Sequence, residues 1–300
     1  MDIGLIRPYE VEYNNRDIED LQNAISALGH KAKNIYVDNM GVRINKKGIL
    51  LSQIISRDKM EPVNVDGAIL RHLGFIKDFE QFGSRLWCVS AMEQKGMPVI
   101  NPLSAWLCAS DKLHSFIVLA KHGIPVPETV STENMFIAYN AVKEYKEAVV
   151  KQLRGAMGFG VFRVNDADVA MHIFSYFTNL SKPIYVQKFL EKKGGGDFRI
   201  IVVGGQVIGG EFRKGEEWKS NIAQGAAPLP AKLNSELEEL AVKTSHALGL
   251  EYAGIDIAET KDGYYVLEAN PSISWQGFKI ATKVNPAEHI VKHLISKIKE

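Results

Sequence analysis

The sequence predicts a mixed α/β and α+β protein in three parts, an expectation that rests on three observations. Short apolar runs at 2–6, 33–37 and 65–70 alternate with helical stretches near 16–28 and 76–95, as in a small parallel sheet with crossover helices. Around 103–127 the chain changes to two consecutive helices punctuated at Gly123, Pro125 and Pro127. From 196 onward long strand-like runs dominate, FRIIVVGGQVIGGEF and a hairpin over 252–269, accompanied by helices at 233–248 and 286–299.

In chain order, residues 1–102 form an N-terminal α/β domain, with VRINKKGILLS as a side hairpin and MPVINP at 97–102 as one more short strand. Residues 103–190 form a central unit in which the strands EAVVKQ and PIYVQK bracket a helix at 166–178. Residues 191–300 form a C-terminal lobe. By their charges, EYKEAVVKQ and the stretch 236–243 also read as solvated helix faces. A chain of 300 residues exceeds what one core usually serves, so two or three packed subdomains are expected.

Composition narrows the function classes. With 36 Lys+Arg against 35 Asp+Glu, the net charge of +1 offers no bulk attraction to a polyanion, so nucleic acid is not an expected partner. No apolar stretch approaches the ~18 residues of a membrane span. Only Cys88 and Cys108 occur, and MDIGLIRPYE lacks a charged-then-apolar targeting pattern, so the expectation is a cytoplasmic protein with reduced thiols. Both cysteines flank apolar residues and read as small core hydrophobes. His289 and His293 have a zinc-compatible spacing, but the tail KHLISKIKE adds no further ligands.

Candidate chemistry begins with the hairpin at 252–269. Asp256, Glu268 and Asn270 put three hard oxygen donors there, the kind that suit Mg²⁺ or Mn²⁺ holding nucleotide phosphates. Glu268 and Asn270, two apart, share a strand face. A two-residue Asp262-Gly263 turn would pair Ile257 with Glu268 and send Asp256 to the other face. A three-residue loop with left-handed Gly263 puts Asp256 opposite Glu268, and this second register is the preferred one. A solvated strand face is the competing explanation.

A second stretch, VVKQLRGAMGFGVFRV at 149–164, carries Gly155, Gly158 and Gly160 between two strands. It fits neither the Rossmann nor the P-loop template, but such a loop can fold over a nucleotide as a flap whose backbone N–H groups meet phosphate oxygens. Lys151 enters that loop as a point charge within reach of phosphates. Arg199 and Arg213 fall on odd positions of the strands at 198–213, so both can face one cleft and stabilise a transferring phosphoryl group.

In order, SDK at 110–112, KQLRGAMGFGV at 151–161, VQKFL at 186–190, GDFRIIVVG at 196–204, FR at 212–213, SN at 220–221, GIDIA at 254–258 and LEANPS at 267–272 resemble the ATP-grasp superfamily, within it most the RimK-type α-L-glutamate ligases. The resemblance covers nearly the whole chain, including the parallel α/β domain that such enzymes place before the grasp. It implies an ATP-dependent carboxylate–amine ligase that makes an acylphosphate and then an amide, with ATP between two lobes and two Mg²⁺ or Mn²⁺ ions held by Asp256, Glu268 and Asn270. Lys112 and Lys151 then resemble the lysines on the ATP phosphates, and Gly155 to Gly160 the lid. Gln187 precedes an adenine hinge formed by the backbone of Lys188 and Leu190, where many relatives have Glu in place of Lys188. Glu191 is placed for the ribose, Asp197 near the nucleotide, and Asn221 beside the metal or acylphosphate with Arg199 and Arg213.

On the substrate side, the segment 272–278 lies where relatives bind substrate. Trp275 in a polar loop is expected to pack on substrate rather than in a core, with Trp218 a second candidate. Ser220 and Gln276 are candidates to bond an amino-acid carboxylate. Arg7 and Arg71 follow the first and third strands, where open α/β sheets place ligands, and are candidates to hold an acidic acceptor. The expected partners are L-glutamate and a small-molecule acceptor, a coenzyme of the pterin or deazaflavin (F420) type. A carrier-protein-directed ligase of the lysine-biosynthesis kind and a non-catalytic ATP-binding regulator are the alternatives. Oligomeric state is open, a homo-oligomer included.

Overall fold

A computed structural model describes residues 1–9, 15–46, 48–56, 59–74, 78–153, 160–215 and 227–300. The N-terminal part contributes β1 (Asp2–Arg7), α1 (Asn15–Ala27), β2 (Lys31–Tyr36), β3 (Met40–Asn45), β4 (Gly48–Ser56), β5 (Lys59–Pro62), β6 (Gly67–Leu70), α2 (Phe79–Gln94) and β7 (Val99–Ile100). Strands β2-β1-β6-β7 form a parallel sheet in that order. Ile3, Leu5, Ile6, Ile69 and Leu70 are fully buried because both faces of this sheet are covered. The expected side hairpin is β3–β4, to which β5 adds a third antiparallel strand that the sequence reading lacked.

Next come α3 (Leu103–Ser110) and α4 (Lys112–Lys121), then β8 (Thr129–Thr132), α5 (Met135–Tyr145), β9 (Ala148–Lys151), β10 (Phe162–Val164), α6 (Ala167–Asn179) and β11 (Ile184–Lys188). The strands make an antiparallel sheet in the order β10-β9-β11-β8. The strand expected within EAVVKQ is β9, with Ala148, Val149 and Val150 buried, since Val149 and Val150 supply β-branched surface to the core; the other reading of EYKEAVVKQ, as a solvated helix face, does not hold there. Helix α5, started by Asn134 accepting from Phe136 N and Ile137 N, covers that core with Ala138, Val142 and Tyr145.

The last part holds β12 (Gly196–Val203), β13 (Gln206–Lys214), β14 (Ala227–Pro230), α7 (Ser235–Ala247), β15 (Tyr252–Thr260), β16 (Gly263–Asn270), α8 (Gln276–Thr282) and α9 (Pro286–Lys299). Its strands form an antiparallel sheet ordered β14-β13-β12-β15-β16. Strand alternation gives it two different faces. Ile200, Val202, Ile255 and Ile257 pack against α7 and also against Phe116 and Leu119 of α4, so α3 and α4 belong with this core and not with 128–188. On the other face, Ile201, Val203 and Tyr252 join Ile3, Leu5 and Ile69 of the parallel sheet. The first and last parts therefore share one core, whereas Val142, Phe174, Phe177 and Val186 build a separate one.

Polar groups pin the shared core. Asn101, fully buried, uses its whole bonding capacity: Nδ2 donates to Tyr252 O and Pro271 O, and Oδ1 accepts from Glu251 N and Tyr252 N. Tyr252 in turn donates its hydroxyl to Leu70 O at 2.8 Å.

Candidate active site

The candidate residues gather where Lys112 of α4 and Lys151 of β9 come near Glu268 of the five-stranded sheet. Asp256 pairs directly with Glu268, so both side chains rise from one face, with Asn270 opposite Gly254 next along it. The hairpin reaches this register by a different route from the expected one. Its turn is two residues, Lys261–Asp262, with Thr260 paired to Gly263, which takes φ +117. That turn alone would set Asp256 against Leu267. A β-bulge between Asp256 and Ile257 leaves Leu267 unpaired and restores Asp256 to Glu268. The extra residue also lets Val266 and Ala269, three apart, both reach the core.

Arg199 is paired with Asp256 across β12–β15 and forms a fork of two 2.8 Å hydrogen bonds, Nε to Oδ1 and Nη2 to Oδ2. Arg213 lies on the same face, with Nη2 2.8 Å from Asp256 Oδ2 and a second bond to Asp197. Lys192 donates to Asp197 Oδ1 at 3.0 Å. Burial alone would raise the Asp256 pKa, but the charges and hydrogen bonds of the two guanidiniums outweigh it and bring the carboxyl down to about 2.

Lys112 occupies the first position of α4 because Asp111 caps the helix, accepting from Leu113 N and His114 N. From there its Nζ stands 3.1 Å from Glu268 Oε1. Lys151, at the end of β9, donates to Gln187 Oε1 at 2.7 Å on the neighbouring strand β11. Burial, followed by the charge of Lys112, lowers the Lys151 ammonium to about 8. Gln187 is buried and donates onward to Thr129 Oγ1. Lys188 ends β11 with its N–H given to Glu128 O at 2.8 Å. Its exposed ammonium pairs with Glu128. Leu190 is half-buried and Glu191 exposed in the segment that follows.

The donor set suits a divalent cation: two carboxylates and one amide, with Asp256 held ionised. Among the described residues no group of three or more His, Cys, Asp or Glu forms a ready cage, so phosphate and water oxygens would complete the shell. Lys112, Lys151, Lys192, Arg199 and Arg213 outnumber the carboxylates Asp197, Asp256, Glu211 and Glu268 around them, a balance that suits a triphosphate.

Gly160 is described, at φ +67, but Gly155 and Gly158 lie outside the described residues, as do Trp218, Ser220 and Asn221. The remaining substrate candidates are placed otherwise than expected. Trp275 is fully buried, the largest such side chain, and precedes helix α8 rather than sitting in an open loop. Its indole N–H finds the acceptor Asp20 Oδ2 at 3.1 Å on α1, a partner 255 residues away that local sequence does not reveal. Gln276 donates to Asp17 and Asp20. Arg71 is buried with Nη2 2.6 Å from Ile273 O, 3.6 Å from Asp17 and its guanidinium 4.5 Å from the Trp275 ring centre, so it fastens two parts of the chain. Arg7 lies half-buried at the end of β1 over the Tyr36 ring.

Two residues of the cluster were not anticipated, Lys192 and Glu211. Glu211 was within reach of the same alternation that found Arg213, two positions on.

The fold and this site together define an ATP-grasp enzyme, an ATP-dependent carbon–nitrogen ligase. The RimK-like ATP-grasp domain matches residues 109–294, and the chain belongs to that family. It is 34% identical over 209 residues to the tetrahydromethanopterin:alpha-L-glutamate ligase of Methanocaldococcus jannaschii, covering 68% of this chain and 72% of that one. The ligase of the same name from Methanosarcina acetivorans is 31% identical over 261 residues, 77% and 80% of the two chains. Among solved structures, the ATP-grasp ligase PsnB complexed with minimal precursor, Mg and ADP shares the fold at a TM-score of 0.73 and 19% identity, over 99% of this chain and 98% of that one. Among the described residues no helix is long and apolar enough to cross a membrane.

Proposed function

We propose that this ligase joins the amine of L-glutamate to a carboxylate of a small-molecule coenzyme of the tetrahydromethanopterin or F420 kind, by way of an acylphosphate. The observation that carries the chemistry is the opposed pair Asp256 and Glu268, flanked on their sheet face by Arg199 and Arg213 and approached by Lys112 from α4 and Lys151 from β9. The acceptor class rests on the names of the relatives from Methanocaldococcus jannaschii and Methanosarcina acetivorans.

In this reading Asp256, Glu268 and Asn270 hold one or two Mg²⁺ or Mn²⁺ ions, which when bound supply charge neutralisation for the nucleotide phosphates. Lys112 and Lys151 bind phosphate oxygens, and the carbonyl of Lys188 with the backbone of Leu190 meets the adenine. Glu191 takes the ribose, and Asp197 anchors Lys192 and Arg213 beside the nucleotide. Gly155, Gly158 and Gly160 close over the phosphates. Arg199, Arg213 and Asn221 stabilise the charge of the transferring phosphoryl group, so that rate comes from positioning and fixed charge rather than from a covalent nucleophile. Arg7 and Ser220 remain the candidates for acceptor and amino-acid carboxylates, while Arg71, Trp275 and Gln276 are engaged in contacts that fasten the segment 273–276 to the N-terminal part.

The test is ADP release over a panel of coenzyme acceptors, each with and without L-glutamate. A glutamate-dependent rise with a pterin or deazaflavin acceptor is expected. Background release with every coenzyme, together with a rise on a carrier protein or peptide, would transfer the assignment to a macromolecular acceptor.

A further inference from the structure

Four ionisable residues stand in one row across the five-stranded sheet: Glu211 on β13, Arg199 on β12, Asp256 on β15 and Glu268 on β16, each directly paired with the next. Arg199 thus has a carboxylate on either side. It uses one of them, gripping Asp256 through two hydrogen bonds. On the other side Glu211 is 1% exposed, and its Oε2 has no hydrogen-bond partner. A buried carboxylate oxygen left without a donor is costly, and a close-packed sheet face rarely retains one without a use. Burial also raises the Glu211 pKa, against the opposing charges of Arg199 and Arg213.

We propose that Glu211 is the reserve counter-ion of Arg199, receiving its guanidinium when Asp256 is given over to a divalent cation. The inference rests on the reading of Asp256 as a metal ligand. Arginines take three of the roughly four lone-pair sites of the Asp256 carboxylate, so a cation chelated by both oxygens displaces a guanidinium, and one bound through Oδ1 alone repels the two beside it. A displaced, buried guanidinium with no acceptor would oppose metal entry. Directly opposed residues of an antiparallel pair have Cβ atoms only about 4.5–5.5 Å apart, so Arg199 can pass from one neighbour to the other by side-chain rotation without moving the backbone. Glu211 is therefore a positioning residue: it touches neither nucleotide nor acceptor, and acts on the metal site only through Arg199.

The experiment is an equilibrium titration with Mn²⁺ in the presence of ADP, read by electron paramagnetic resonance without turnover. It compares the wild-type chain, Glu211→Gln, Arg199→Met and the double variant. Glu211→Gln is expected to weaken Mn²⁺ by about tenfold or more, the size of one lost charge-assisted contact. In the Arg199→Met background the same change is expected to alter affinity by less than about threefold, because there is no guanidinium left to receive. Unchanged Mn²⁺ affinity in Glu211→Gln overturns the proposal. So does a loss that persists undiminished without Arg199, which would make Glu211 a simple distant charge. Should Glu211→Gln not unfold cooperatively, Glu211→Asp is read in both backgrounds; an Arg199-dependent loss of about threefold or more supports the proposal, and no loss overturns it. Failure of the wild-type chain to bind Mn²⁺ removes the metal assignment and this inference together. Intact wild-type binding with an unaffected Glu211→Gln removes the inference alone.

Discussion

Asp256 stands directly opposite Glu268 because Leu267 bulges out of β16 between the turn and the site. The two carboxylates differ in what surrounds them: Asp256 is buried between Arg199 and Arg213, while the Glu268 side chain is 35% exposed beside Lys112.

That difference separates stability from activity. Asp256→Asn leaves two largely buried guanidiniums short of a charge and is expected to destabilise the fold by about 3 kcal/mol. Glu268→Gln loses one partly exposed pair and is expected to cost about 0–1 kcal/mol. Both are expected to lower turnover at least a hundredfold, with ATP affinity falling less than turnover for Glu268→Gln. Urea denaturation alongside ADP-release kinetics measures this, and wild-type turnover in Glu268→Gln refutes its assignment as a metal ligand.

Lys151 is a site where function costs stability. Its folded-state pKa of about 8 lies below the ordinary 10.5, so the folded chain binds fewer protons between these values. Stability therefore rises with pH from about 8 to 10.5, where the folded chain has given up the proton and the unfolded chain still holds it. At neutral pH the charged lysine opposes folding by on the order of 2–3 kcal/mol. Lys151→Met removes that cost and leaves Gln187 Oε1 without its donor, a loss of about 1 kcal/mol. The expected net is a gain of roughly 1 kcal/mol at pH 7, with the alkaline rise gone and nucleotide affinity reduced more than tenfold. Thermal melts from pH 6 to 10.5 and nucleotide titration decide it; a destabilised variant with the alkaline rise intact contradicts the account.

The Arg71–Trp275 contact is expected to behave as a structural fastening. Trp275→Ala should cost about 3–5 kcal/mol, the range for emptying an aromatic core site. Arg71→Lys should also destabilise, because an ammonium cannot both lie flat on the indole and fork to Ile273 O and Asp17. Each is expected to lower the melting temperature while leaving acceptor KM, measured well below that temperature, within about threefold. A large rise in KM without loss of stability would return Arg71 to the substrate.

Where burial pattern and local chemistry suffice, the sequence was legible. Apolar runs identified β1, β2 and β6, and strand alternation placed Arg199 and Arg213 on one face. The bulge was not legible, since turn length alone suggests another register and the cost of Leu267 is set by the core that Val266 and Ala269 enter. Trp275 was misjudged for a related reason. A polar loop locally, it is buried by α1 and Arg71, which contribute the acceptor and the cation that a buried indole needs.

By itself the sequence determined the kind of chemistry, because hard oxygen donors, phosphate-reaching lysines and a glycine-rich loop are properties of residue types at short spacing. Only the tertiary structure decided which charge meets which. Glu211, Arg199, Asp256 and Glu268 come from four strands, and their alternation in one row depends on sheet order and register, quantities fixed by burying two faces at once.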